Sequence, residues 1–279
     1  MGPALLLMGV AACAALSGAN DLEVGILSTD GGDTSSSGSS GSSGGTSGGP
    51  VTGDLDGATI DGDVGRPSPC AVAHTFCDDF DDLPLSQKWD FVRTTGGTVA
   101  HDTSLFVSAP RSLEVSVRPG SGVREALVHK DTPFANGEKV AELAYDLLVD
   151  RGSGSFKEVD YGVLMPSPPP ENTRSHGITL VDRPSGMTVQ YFRERDGGQY
   201  DNEDAPIELP EGWVHVVLRV DYTVSPPLGS VTLNGGEPTT LSLSPTSLTS
   251  VSYEVGGTYI DDVSTSVVIH VDNVTFDKR

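Results

Sequence analysis

Positive charge is what this chain has least of. Its 279 residues include 17 Lys and Arg against 39 Asp and Glu, a formal net charge of −22. Such acidity repels phosphates and uronates, which excludes nucleic acid as a partner and argues against polyanionic substrates. Cysteine is scarce as well: Cys13, Cys70 and Cys77 are the full set. That is too few for a disulfide-built scaffold or an all-cysteine zinc site. Histidines are scattered as His74, His101, His129, His176, His215 and His270, with no paired ligand spacing such as His-x-His. Long apolar runs are missing too. The stretch from Leu5 to Leu16 is too short to span a bilayer, and no Lys or Arg occurs before Arg66.

What is there begins with that short apolar stretch, followed at once by polar chain, which marks residues 1–19 as an export signal. Within it, Val10-Ala11-Ala12-Cys13 resembles the bacterial lipobox: an aliphatic residue, two small ones, then the cysteine that takes the lipid. The resemblance implies lipidation at Cys13 and an anchor in the cell envelope. Plain secretion, with cleavage near residues 15–19, is the alternative. Once Cys13 is set aside, Cys70 and Cys77 remain, in a chain sent to an oxidising compartment, and a disulfide is expected. A metal pair is the competing reading, but two further ligands of the zinc kind are missing nearby.

Residues 20–67 read as a tether. From Asp33 to Gly49 the chain is almost wholly Ser, Gly and Thr, with too little apolar surface to offset the entropy of ordering. Asp54-Leu-Asp56-Gly57 and Asp61-Gly-Asp63 suggest calcium at first sight but fail the register of an EF-hand loop.

Residues 68–279 have the length of one domain. Period-two alternation is clearest at 212–222, where Val214, Val216, Leu218 and Val220 share one face. Further strands are expected at 112–118, 124–130, 139–149, 156–165, 177–181, 187–193, 230–234, 238–243, 251–255 and 266–276. The segment 139–149 also fits a helix by length. Short strands punctuated by Gly and Pro predict an all-β antiparallel sandwich, and their number suits a jelly roll.

The hairpin built on Trp213-Val-His215 and Val231-Thr-Leu-Asn-Gly235 resembles the laminin-G and concanavalin A-like jelly rolls. So do the opening Phe76-Cys-Asp-Asp-Phe-Asp81 with Trp89, the edge Ala109-Pro-Arg-Ser-Leu113, and the closing Val271-Asp-Asn-Val-Thr-Phe276. That superfamily holds sugar-binding modules and sugar-cleaving enzymes alike. Its members often carry a structural calcium joining the first strand to the last, which implies Asp78, Asp79 and Asp272, with Asp81 nearby, as oxygen ligands. Solvated surface acidity is the plain alternative.

For catalysis, Glu158-Val-Asp160 resembles the Glu-x-Asp-x-x-Glu strand of laminarinase-type hydrolases, whose retaining chemistry needs two close carboxyl groups. The third position here is Val163, so half of the pair is missing. A lyase pattern is imaginable from His176, Tyr191 and Arg193, without the diagnostic short motifs. No residue is therefore assigned as catalytic. For ligand contact, Tyr191, Arg193, Tyr200 and Asn202 offer aromatic faces and planar polar groups, with residues 194–206 expected as a loop able to carry function. Trp89 and Trp213 are expected in the core, and His215 as a half-buried, hydrogen-bonded strand residue.

The expected protein is an exported, lipid-anchored jelly roll that binds a neutral glycan or a surface protein without catalysis. It would need at most a structural calcium and no organic cofactor. A diverged hydrolase or lyase, or a purely structural or adhesive envelope protein, are the alternatives.

Overall fold

The computed structural model describes residues 67–135 and 137–279. The signal segment, the lipidation at Cys13 and the tether up to residue 66 lie outside them. Among the described residues no helix is long and apolar enough to cross a membrane.

Fifteen strands follow a 3₁₀ turn at Pro69–Ala71: β1 (Phe76–Asp78), β2 (Phe91–Thr95), β3 (Gly97–Asp102), β4 (Ser112–Val117) and β5 (Gly120–Pro133), with α1 (Leu85–Lys88) between β1 and β2. Then come β6 (Val140–Asp150), β7 (Glu158–Ser167), β8 (Thr173–Arg183), β9 (Gly186–Arg195) and β10 (Tyr200–Pro206). The last five are β11 (Val214–Asp221), β12 (Leu228–Leu233), β13 (Thr239–Ser242), β14 (Ser250–Val263) and β15 (Val267–Lys278). They form two antiparallel sheets. The first runs β13-β12-β11-β6-β15-β4-β3, with β1 also paired to β15, and the second runs β10-β9-β8-β7-β14-β5-β2.

The alternation in the sequence explains the sandwich. Val214, Val216, Leu218 and Val220 are buried, and so are Leu113, Val115 and Val117 of β4. Against them pack Val159, Tyr161, Leu164, Ile178, Leu180, Val189 and Tyr191 from the second sheet. Residues 139–149 are strand, not helix, because β6 is hydrogen-bonded on both sides, to β11 and to β15. Asn234 and Gly235, at φ 49° and 68°, make the left-handed pair that a tight hairpin demands, and they turn β12 into β13.

The chain closes on itself where the sequence suggested a cation. Phe76, Cys77 and Asp78 pair in register with Phe276, Thr275 and Val274, and the Cys70–Cys77 disulfide ties the entering segment to this strand. Beneath it, Trp89 is core, stacked parallel to Phe80 and edge-on to Phe76.

Candidate functional site

The outer face of the second sheet carries a cleft of about 320 Å³, lined in part by Glu158, Asp160, Gln190, Phe192, Tyr200 and Asn202. Period two explains which residues reach it. On β9, Met187, Val189 and Tyr191 face the core, so Gln190 and Phe192 face out. On β10, Asn202 lies opposite Phe192 and Asp204 opposite Gln190, which aligns Tyr200, Asn202 and Asp204 along the same wall.

The opposite wall comes from β14, where the pairing register slips between Val255 and Tyr259. Gly256 sits at φ 111° in this bulge, and a Cβ there would lie 2.8 Å from the Ala126 carbonyl. The extra residues turn Thr258 and Tyr259 into the cleft beside Glu254.

Two of the acids at and beside the cleft share one cation. Arg183 donates from Nε to Glu158 at 2.6 Å and from Nη1 to Asp204 at 3.2 Å. Gln190 donates to the other oxygen of Asp204 at 2.9 Å. Glu254 is 3.0 Å from His129 Nδ1. Burial opposes the charge on that imidazole, but Glu254 and Asp131 outweigh it and raise its pKa. Asp160 has no such partner. Its Oδ2 meets only the Thr179 hydroxyl at 3.5 Å, and its buried Oδ1 has no hydrogen-bond partner among the described residues. Burial first, then the neighbouring Glu158, push its carboxyl well above the ordinary carboxylate range.

The structure separates the four ligand residues expected from sequence. Tyr200 is 62 % exposed and Asn202 stands beside it on the cleft wall. Tyr191 is a correction: it is 1 % exposed, and its hydroxyl accepts from the Ser244 amide at 3.0 Å inside the sandwich. Arg193 is another, since it shares the inward parity of Tyr191. Its guanidinium lies 5.6 Å from the Tyr191 ring and donates to Ser244 Oγ at 3.3 Å. Residues 194–206 are not a loop but a hairpin, with β10 paired to β9 along its length. The imagined lyase set fails for the same reason. His176 is 1 % exposed and 3.3 Å from the Tyr191 hydroxyl, deep between the sheets.

Gln190, Phe192 and Glu254 were missed. The first two were readable from the apolar odd positions of 187–191. Of the hydrolase-like strand, Glu158, Asp160 and Val163 all line the cleft, so the third carboxylate is absent at its own position. Glu254, however, is the direct cross-strand partner of Val163.

The expected calcium ligands do other work. Asp78 accepts from the Phe80 amide at 2.9 Å, from Lys88 Nζ at 2.9 Å and from Trp89 Nε1 at 2.7 Å. Asp272 accepts from the amides of Val107 and Ser108 at 2.8 Å each, and from that of Asn273 at 2.7 Å. Asp79 accepts from Ser68 Oγ and from the Asp81 amide. Among the described residues Asp78, Asp79 and Asp272 form no shared ligand set. N–H donors hold the ends of the fold here, where oxygen–cation bonds had been expected. His215 is hydrogen-bonded as expected, 2.9 Å from Asp146, but 44 % of its side chain is exposed. Trp213 is half-buried on the outer face of the first sheet rather than in the core.

Two antiparallel sheets with this cleft on the outside of one of them define the class: an antiparallel β-sandwich with a jelly-roll fold. No family model and no curated protein matches the chain. Among solved structures, the cellulose-induced protein Cip1 superposes with a TM-score of 0.52 at 14 % identity, over 72 % of this chain and 96 % of that one. The alginate lyase vAL-1 from Chlorella virus gives 0.50 at 10 % identity, over 72 % and 100 %. Likeness at this identity shows the fold.

Proposed function

We propose that this protein is a non-catalytic glycan-binding jelly roll, exported and held at the cell envelope by a lipid on Cys13. The cleft on the second sheet carries the reading. Tyr200, Phe192 and Tyr259 offer apolar faces on which the C–H side of a sugar ring can rest, while Gln190, Asn202 and the cleft acids offer hydrogen bonds to hydroxyls. The name of vAL-1 points to alginate as that protein's substrate, yet a uronate is the wrong ligand here. Arg183, the cation bonded to the cleft acid Glu158, is already shared with Asp204, so an incoming carboxylate would meet unbalanced negative charge. A neutral polysaccharide fits.

A second reading, glycoside hydrolysis, draws on Glu254, which stands across from the vacant third position of the Glu158-Val-Asp160 strand. One experiment separates the two. The full-length chain is screened on a glycan array with calcium and with a chelator, and every hit is followed for release of reducing ends. The binding reading expects saturable capture of a neutral glycan, no turnover, and roughly tenfold weaker binding in Tyr200→Ala. Turnover that Glu254→Gln abolishes would replace it with the hydrolase reading. A blank array in both conditions would remove carbohydrate altogether and leave a protein-binding or adhesive role.

A further inference from the structure

A second cluster lies on the other sheet, on its outer face. Strands β3, β4 and β15 run side by side there, and Asp102, Glu114 and His270 converge from the three of them. Glu114 is the direct cross-strand partner of His270 on one side and of Ala100 on the other, two residues before Asp102. One ligand atom from each of the three lies within 4.8 Å of the other two, the only such trio among the described residues.

The histidine gives the cluster its meaning. His270 is 5 % exposed, yet its Nδ1 has no hydrogen-bond partner among the described residues. Asp102 Oδ2 stands 3.2 Å from that nitrogen without forming a hydrogen bond. A buried ring nitrogen left in this state is costly unless something else takes its lone pair. Asp102 is itself held in place: Oδ1 accepts from the Ser104 amide and hydroxyl at 2.8 and 2.6 Å, and Oδ2 from the Leu105 amide at 3.2 Å. Oriented ligands of this kind are what metal sites use.

We propose that Asp102, Glu114 and His270 bind a divalent transition cation of the zinc type. The donor set decides the class. Calcium and magnesium take oxygen ligands, whereas zinc accepts imidazole nitrogen and carboxylate oxygen together at about 2.0–2.2 Å. Two ligands at tetrahedral positions on such an ion are about 3.4 Å apart, close to the 3.2 Å between His270 Nδ1 and Asp102 Oδ2. Three protein ligands leave room for water at a further position. The ion would rivet the edge strand β3 to β15 through β4. This site is independent of the glycan cleft.

Trp213 supplies a reporter, its ring edge-on to His270 with centroids 6.4 Å apart. The test titrates zinc, and cobalt as a coloured and quenching surrogate, into untagged full-length protein freed of metal, with calcium as the control. The expected result is one zinc per chain, unaffected by excess calcium. Cobalt should quench fluorescence, and the quench should vanish in Trp213→Phe. Glu114→Gln and His270→Gln should each weaken zinc at least about tenfold. Glu114 is only partly buried, so its variant keeps the test sound if the His270 variant misfolds; circular dichroism in chelator checks both. No saturable zinc binding in the wild type would overturn the proposal, and so would unchanged affinity in a folded Glu114→Gln. Either would make the trio an ordinary histidine–carboxylate contact.

Discussion

Asp78 and Asp160 both hold carboxylate oxygens away from water, and they do opposite things. Every oxygen of Asp78 accepts from a donor: the Phe80 amide, the Lys88 ammonium and the Trp89 indole. Asp160, on the cleft floor, has one buried oxygen with no partner among the described residues and one long contact. Burial alone therefore does not tell scaffold from site. A satisfied buried acid is a joint of the fold, while an unsatisfied one leaves hydrogen-bonding capacity unused at the cleft.

The contrast breaks most visibly at the joint. Asp78→Ala leaves Lys88 and Trp89 without their acceptor and should cost about 3–5 kcal/mol in urea unfolding. A loss near zero would mean that the joint is not structural.

A pH series tests the buried groups next. Burial lowers the His176 pKa to about 4, against about 6.5 in an unfolded chain. The unfolded state then binds a proton that the folded state refuses between these values. Stability is full above pH 6.5 and is lost as pH falls towards 4, by up to roughly 3 kcal/mol. His176→Phe should flatten that acid limb.

Asp160 acts with the reverse sign. Its raised pKa means that the folded state keeps a proton the unfolded state has released, so its contribution is present below the unfolded pKa and is lost as pH rises. Asp160→Asn should therefore gain about 1 kcal/mol at alkaline pH by removing an unsatisfied charge, while weakening glycan capture. A thermal melt at two pH values, paired with a binding curve, reads both.

Smallest is Tyr191→Phe, which removes the hydroxyl that accepts from the Ser244 amide. About 1 kcal/mol of stability should be lost, with glycan affinity unchanged. A change in affinity would return Tyr191 to the site.

Much of the fold was legible, and where it was not has a physical pattern. The central strands alternate because one face is buried, as at β4 and β11. The strands that escaped notice include both edges of the second sheet, β2 and β10, and the edge strand β3 of the first. All five residues of β2 are exposed, and β10 carries acids and ends in Pro206. An edge strand is built to discourage further pairing and so advertises no buried face. The site was half legible. Tyr200 and Asn202 stand on the cleft wall, whereas Tyr191 and Arg193 take the opposite parity, which in a strand means the other face. Glu254 and Tyr259 share one wall only because the bulge at Gly256 resets the parity of β14, and no alternation in sequence announces that.

Strand β15 has a consequence in time as well as in space. It pairs with β1, β4 and β6, so the middle of the first sheet is missing until residues 267–278 exist. During synthesis, about two hundred residues of strand-forming chain must wait for the one segment that lets them zip together, a delay typical of folds dominated by distant pairings. Shortening the chain just before Val267 should therefore leave an unfolded polypeptide rather than a slightly smaller sandwich.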